Sequence, residues 1–474
     1  MTPLPNKATA ITHMHGAYCT THIPSLRSIS TSTMYVVEAH ERRYVQILHT
    51  KQAHTLGLAY HARYGSVVRA APNLLAVNDP HLLPLIYHRR ADKTMSIPPT
   101  QDWREHARKR KRVASSFSLS NLVKLEGQVD ERVLEWTAAI GSLFADTGAK
   151  MDFAAWSQWF TYDTISQLSF GEPIGFVREA RDVSNLIHDF HRMAPFAAVV
   201  GALPWLCAPI LQSPITKWLF MPRPGDSSGT GKIMAFRDAL LEDRLANPKA
   251  HHKGDFLNNI LNAKNEDGSP ISIEEVKTEC FVLMVASADS TGAFFCGFLR
   301  YVLQTPGVYQ RLLATPVATF DQIKQMPYLS ACHKETLRFQ PSTPMLIPRY
   351  VSADGLNLYG QHVPPGTEIG ANPYVVHRDK GVFGEDADEF RPERWLEDPD
   401  KAQDTERYIL TWGYGPRICL GKNIAILETN KLVLQFFRLF RPSIVDNKNV
   451  WRQANLALLV HWDMWINIEH RTLS

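Results

Sequence analysis

Trp412-Gly413-Tyr414-Gly415-Pro416-Arg417-Ile418-Cys419-Leu420-Gly421 decides how the rest of the chain is read. It places a cysteine on a glycine-rich turn just before an apolar, helix-forming run, LGKNIAILETNKLVLQFFRLF from Leu420. Unpaired N–H groups at a helix start, with the helix dipole, favour negative charge and are expected to lower the pKa of the Cys419 thiol. Glycines let a flat ligand approach the backbone. Arg417 adds a fixed charge suited to a carboxylate. A thiolate facing a planar, carboxylate-bearing ligand suggests haem iron. Two other readings stay open at this point. A dinucleotide loop needs a third glycine where Ile418 stands, and a lone buried cysteine is commonly inert packing.

The 474 residues carry 45% hydrophobic and 21% charged residues, the composition of a globular chain rather than a disordered one. A net charge of +4 is too mild to imply nucleic acid, and no nucleic-acid partner is expected. The six cysteines, at positions 19, 207, 280, 296, 332 and 419, form no C-x-x-C pair. That spacing argues against a disulfide scaffold and a structural zinc site and fits a reducing compartment. No window offers about 20 apolar residues free of charge, the length a spanning helix needs. Phe281 to Leu303 comes nearest, but Asp289 and Arg300 make it a core helix. A second apolar stretch, FAAVVGALPWLCAPIL from Phe196, is broken by Pro204 and Pro209. It reads either as a segment dipping into a bilayer surface or as a buried loop. Residues 1–37 contain no Asp or Glu and few basic residues, so residues 1–43 read as a disordered tail without a visible membrane anchor, followed by one domain over 44–474.

Along that domain, residues 54–79 read as a helix stopped by Gly65 and two short strands. Residues 102–190 are helical in pattern, and 222–231 form a loop. The Gly229-Thr230-Gly231-Lys232 segment is not a phosphate loop, because Asp226 and Ile233 occupy the places of its first glycine and its Ser or Thr. Ser272 and Glu275 form a capping box that opens a long helix running to Gln304. Another helix ends at Phe339, ahead of Pro341. Short strands follow from Pro348 to Glu368, and residues 386–400 are irregular. The fold class is mainly α with a minor β region.

The cysteine segment resembles the haem-binding loop of the cytochrome P-450 superfamily, F-x-x-G-x-R-x-C-x-G. Gly415, Arg417, Cys419 and Gly421 match, and Trp412 replaces the usual Phe. The resemblance implies the cytochrome P-450 fold, a single large helical domain around heme b with Cys419 as axial ligand. Further motifs appear in the family order. Glu335-Thr336-Leu337-Arg338 matches E-x-x-R, and Phe390-Arg391-Pro392-Glu393-Arg394-Trp395 matches the second structural motif. By resemblance, Glu335, Arg338 and Arg394 join in a buried ionic network; read alone, such a pair is an ordinary surface contact. Ala286-Ser287-Ala288-Asp289-Ser290-Thr291 is similar to the oxygen-activating A-G-x-D-T-T segment, with Ser287 for Gly and Ser290 for Thr. That implies proton delivery by the Ser290 hydroxyl with Asp289 linking to solvent; the other reading is a locally satisfied polar kink. A Ser rotamer is held less firmly than a Thr rotamer, so peroxide leakage is expected to be raised.

The basic run His106-Ala107-Arg108-Lys109-Arg110-Lys111-Arg112 reads by itself as a solvated helix face or a basic patch. The resemblance assigns His106, with Trp103 competing, and Arg110 to one haem propionate, and Arg349 to the other. Arg108, Lys109, Lys111 and Arg112 are left to face an acidic NADPH-dependent flavoprotein reductase. Pocket walls are implied around Met95, Val285, Ala286 and Met345 to Ile347, all apolar. The implied activity is insertion of one oxygen atom from dioxygen into a small apolar substrate, closest to fungal secondary-metabolite members. The implied place is the endoplasmic reticulum membrane surface facing the cytosol, with a soluble cytoplasmic form as the alternative because no anchor is visible. Isomerase, dehydratase or peroxygenase chemistry without a reductase, and a non-catalytic haem protein, are the alternatives.

Overall fold

The computed structural model describes residues 53–71, 73–94, 100–202, 213–214, 223–226, 229–247, 255–313, 326–446, 451–455 and 458–471. The expected tail, the loop around Met95, Cys19 and Cys207 lie outside the described residues. The principal helices are α1 (Ala53–Tyr64), α2 (Trp103–Val113), α3 (Glu126–Ile140), α4 (Phe153–Phe170), α5 (Leu186–Ala202), α6 (Gly229–Ala246), α7 (Ile273–Gln304), α8 (Pro327–Phe339) and α9 (Lys422–Leu439). The strands are β1 (Val67–Ala71), β2 (Leu74–Val77), β3 (Met151–Asp152), β4 (Arg349–Tyr350), β5 (Leu356–Leu358), β6 (Gln361–Val363), β7 (Glu368–Ala371), β8 (Phe440–Ile444), β9 (Arg452–Asn455), β10 (Leu459–Trp462) and β11 (Trp465–His470).

The helix boundaries follow local chemistry. The α7 capping box forms: the Ser272 hydroxyl accepts from Glu275 N–H at 3.2 Å, and the Glu275 carboxylate accepts from Ser272 N–H at 3.3 Å. Asp102 caps α2 by accepting from Glu105 N–H at 2.8 Å. Asp152 caps α4 through Ala154 N–H, and Gly171 ends α4 at a φ of 83°. α4 is buried on nearly every side and lies along α7, and its buried Asp163 is bonded within the fold by accepting from Gly175 N–H and Val177 N–H. Trp136 of α3 locks this bundle. Its ring packs edge-on against Phe153, Phe160 and Phe436, and its indole N–H donates to Trp156 C=O at 2.9 Å.

The smaller β region is one sheet in the order β1-β2-β7-β4, with β2 and β7 parallel, plus the group β3-β11-β8 and two hairpins, β5-β6 and β9-β10. A second apolar cluster, with Leu75, Tyr87, Ile369 and Leu410 among its members, lies against the four-stranded sheet. Three expectations change. Residues 229–231 open α6 instead of closing a loop, and the described part of the turn is 223–226, where Asp226 accepts from Arg223 N–H at 2.7 Å. The helical stretch of 102–190 is interrupted by β3, which at two residues is too short to show alternation. The apolar segment from Phe196 begins as helix, since α5 continues through Pro195 to Ala202; its remainder lies outside the described residues. Among the described residues, only α7 is long and apolar enough to cross a membrane, and 72% of its apolar window is buried inside the protein.

Candidate functional site

Four elements meet at the cysteine loop. The loop leaves the core at Leu410, and the Thr411 hydroxyl ties it to α8 by donating to Leu337 C=O at 2.6 Å. Cys419 N–H closes the loop on Trp412 C=O at 2.6 Å. Gly413 and Gly415 sit at φ 75° and 62°. A Cβ at Gly415 would lie 2.5 Å from the Tyr87 carbonyl oxygen, so only glycine fits there. Cys419 is exposed, and its sulfur is approached by the N–H groups of Gly421 and Lys422 at the start of α9. The expected lowering of its thiol pKa is not what results. Enclosure by protein pushes the thiol up, and the two amides and Arg110 pull down less strongly. A metal bound at this position would deprotonate the coordinating thiol.

Beside the loop lies a cavity of ≈ 380 Å³ lined by Tyr87, Trp103, His106, Arg110, Arg349 and Arg417 among others. α2 contributes Trp103, His106 and Arg110 on one face, at three- and four-residue spacing. Arg110 reaches the loop and donates to Ile418 C=O at 2.7 Å. Arg417 donates to Thr100 C=O at 2.8 Å and Gln101 C=O at 2.6 Å, clamping the loop to the start of α2. Arg349 donates to Pro348 C=O at 2.9 Å and lies 5.0 Å over the Tyr87 ring. The Tyr87 hydroxyl donates to Ile347 C=O at 2.8 Å, which holds that ring in place.

This group is electrostatically unbalanced. His106 is pushed down to about 4 by burial and by Arg417, Arg110, Lys93 and Arg349. Lys93 falls to about 8 through burial, Arg349 and Arg417. Arg349 falls to about 10, with burial the main cause. Among the described residues, none of Lys93, Arg110, Arg349 and Arg417 forms an ion pair with a carboxylate. Asp92 and Asp102 are near Arg417, but they accept from Trp103 N–H and Glu105 N–H. Such a donor set fits a flat, dianionic group next to a sulfur ligand.

The basic run divides. Arg112 is not available to a partner: it pairs with Glu275 at 2.9 Å and donates to Asn265 at 2.7 Å. Lys109 pairs with Glu105 at 2.8 Å. Arg108 and Lys111 remain exposed.

Behind the loop, Glu335 and Arg338 of α8 are both 0% exposed. Glu335 accepts from Arg338 at 2.7 and 2.9 Å, from Arg394 at 3.0 Å, from Arg391 N–H at 2.8 Å and from the Trp395 indole at 2.9 Å. Burial alone would raise its pKa; the arginines and Arg391 N–H outweigh that and lower it. Arg338 spends its other N–H groups on the carbonyls of His377, Ala387 and Glu389. His377 carries the network to the cysteine loop. Its Nδ1 donates to Arg338 C=O at 2.9 Å and its Nε2 accepts from Leu410 N–H at 2.7 Å, which sets the neutral tautomer. Burial pushes His377 down to about 3.

Asp289 and Ser290 lie on α7 and do not line that cavity. The Ser290 hydroxyl donates back to Ala286 C=O at 2.7 Å, while Ser290 C=O accepts from the Ser342 hydroxyl at 2.7 Å. Val282 and Ala286 are exposed in the middle stretch of this mostly buried helix. Asp289 is 3% exposed and faces Tyr162 of α4 at 3.5 Å and His191 of α5 at 3.1 Å, so its route to solvent runs past His191. Sequence reasoning missed Lys93, Tyr87, His191, Tyr162, His377 and Thr411, whose partners are distant in the chain. Of these, only Lys93 had a local signal, as one of the cations, with Arg89 and Arg90, ahead of the α2 basic run.

A largely helical scaffold with a cysteine sulfur beside an unpaired cationic cavity defines the haem-thiolate class. The cytochrome P450 family model matches residues 77–461, and the chain belongs to that family, as an enzyme of the monooxygenase type whose haem is held by a cysteine thiolate. The chain is 31% identical over 427 residues to quiannulatic acid synthase of Emericella variicolor, covering 82% of each chain. It is 29% identical over 454 residues to the cytochrome P450 monooxygenase cicH of Emericella nidulans, covering 89% of this chain and 90% of that one. Among solved structures, the cytochrome P450DA heme domain matches with a TM-score of 0.75 at 17% identity, over 90% of this chain and 95% of that one, which shows the fold.

Proposed function

We propose that this enzyme inserts one oxygen atom of dioxygen into a C–H or C=C bond of a small, largely apolar molecule in fungal secondary metabolism. Electrons come from NADPH through a flavoprotein reductase. The haem, when bound, would supply the oxygen chemistry. Cys419 is the residue whose sulfur would hold its iron. His106, Arg110, Arg349 and Arg417 hold the two propionates as charge-assisted donors. Ser290 presents a hydroxyl on α7 and Asp289 passes protons toward it. Glu335, Arg338 and Arg394 keep the loop rigid. Arg108 and Lys111 are the part of the basic run that meets the reductase, and the enzyme works at the cytosolic surface of the endoplasmic reticulum.

One observation carries this reading: an exposed cysteine beside cations that, among the described residues, form no ion pair with a carboxylate. The test is the carbon monoxide difference spectrum of the reduced protein. A red-shifted thiolate band is expected in the wild type and lost in Cys419→His; its absence from freshly reconstituted wild type refutes the reading. Product formation that needs neither NADPH nor reductase would instead assign an isomerase, dehydratase or peroxygenase. Fractionation of expressing cells checks the membrane location.

A further inference from the structure

Among the described residues, the α5 helix meets α7 at a largely buried polar contact. His191 Nε2 lies 3.1 Å from Asp289 Oδ1, with side chains 18% and 3% exposed. The Tyr162 hydroxyl approaches the same oxygen at 3.5 Å. This carboxylate sits within a helix whose neighbours are apolar, where an unpaired charge is expensive.

The segment leading into α5 is strained. Ala180, Ser184 and Asn185 hold φ values of 50°, 57° and 55°, the left-handed region that non-glycine residues avoid. It is held by Asp182, which accepts from Ile187 N–H at 3.1 Å and His188 N–H at 2.9 Å, and by Lys232 of α6, which donates to Ser184 C=O. The contact at His191 is what fixes the far side of this strained lead-in onto α7.

We propose that His191 is a positioning residue whose protonated form clamps α5 onto Asp289, so that the clamp is tight at mildly acidic pH and relaxed at alkaline pH. The proton enters from solvent at Nδ1, while Nε2–H stays on Asp289. Neutral His191 retains that hydrogen bond and loses the charge attraction, so the contact weakens without dissolving. The groups facing His191 are Asp289 on α7, Tyr162 on α4 and Asp182 ahead of α5. On α5 itself, His188 faces Asp189 at 3.5 Å, and Asp189 pairs with Lys232 at 3.5 Å. Burial disfavours the charged ring, but the hydrogen bond and charge of Asp289, helped by Asp182, raise His191 above its ordinary 6.5. A raised value means the stabilisation is complete below 6.5 and is lost as pH rises through the folded value. Tyr162 is driven well above the ordinary tyrosine range and stays a donor throughout.

The geometry of this clamp does not depend on the cofactor; only its effect on turnover rests on the role proposed for Asp289. The test uses the full-length haem-loaded protein and two readouts. Histidine side-chain NMR, with the His191 signal assigned by its loss in His191→Gln, is expected to titrate above 6.5 in the wild type and to drop in Asp289→Asn. Amide exchange of residues 186–195, corrected for intrinsic rates, is expected to be slower at about pH 5 than at about pH 8 in the wild type. That difference vanishes in His191→Gln and in Asp289→Asn. A wild-type midpoint at or below 6.5, or a pH-dependent protection that survives in Asp289→Asn, overturns the proposal. Failure of the haem-thiolate reading would appear separately, as a missing carbon monoxide band with both of these readouts intact.

Discussion

Replacing Glu335 with glutamine tests whether the buried ion network stabilises the fold. The carboxylate accepts five hydrogen bonds, two from Arg338 and one each from Arg394, Arg391 N–H and the Trp395 indole. Glutamine keeps one acceptor oxygen and turns an amide toward donors, leaving the 0% exposed Arg338 guanidinium without its anion, while Arg394, 6% exposed, keeps only Asp386 at 3.0 Å. Stranding buried charge in this way costs about 3–5 kcal/mol. Arg394→Met makes the contrast. Glu335 then keeps four of its donors, including both from Arg338, and Asp386 keeps Arg391. The loss is nearer the about 1–3 kcal/mol of a buried group left short of a partner. Urea unfolding followed by tryptophan fluorescence, with haem absorbance in parallel, should therefore rank Glu335→Gln well below Arg394→Met and wild type highest. If Glu335→Gln folds too poorly to titrate, Arg394→Met still carries a measurable loss. A Glu335→Gln cost below about 1 kcal/mol, or smaller than that of Arg394→Met, would refute the reasoning. The pH dependence has a definite sign. Because Glu335 is held below its ordinary 4.5, its contribution is present above that value and is lost only as pH falls through the lower folded one.

Three further perturbations test the loop and the cavity. Gly415→Ala should abolish haem loading, read by pyridine haemochrome content, because its Cβ would sit 2.5 Å from the Tyr87 oxygen at a φ of 62°. His377→Phe leaves Arg338 C=O and Leu410 N–H unpaired; it should cost about 1–3 kcal/mol in urea and speed haem loss to a scavenger protein, whereas an unchanged loss rate would show that this relay does not hold the loop. Lys93, which loses its proton near 8 in the cofactor-free chain, should make haem affinity fall as pH rises through that value, since binding a dianion requires the charged amine. Lys93→Met should bind more weakly at neutral pH with a flatter profile, measured by competitive haem transfer.

What could be read from the sequence was what depends on neighbours within a few residues. The α7 capping box needs only Ser272 and Glu275, and the end of α8 needs only Pro341. The cysteine loop is ten consecutive residues whose glycines, arginine and sulfur state their chemistry locally. The misreadings share a different cause. Arg112 looked like one more surface cation because its partner Glu275 is 163 residues away. His377 carried no signal, since its meaning comes from Arg338 at 39 and Leu410 at 33 residues' distance. The thiol of Cys419 was misjudged in sign for the same reason. The helix amides that lower its pKa lie two and three residues away, whereas the protein that raises it is assembled from elements far apart in the chain. Asp289 shows both halves at once. Its cost in an apolar helix is legible from the residues around it, and that cost demands a partner, yet nothing local points to a histidine 98 residues earlier. Donor and acceptor types are therefore local properties, while charge states are set by packing. The candidate site was legible as a set of groups, and its electrostatics only became so once α2, α5, α7 and α8 were brought together.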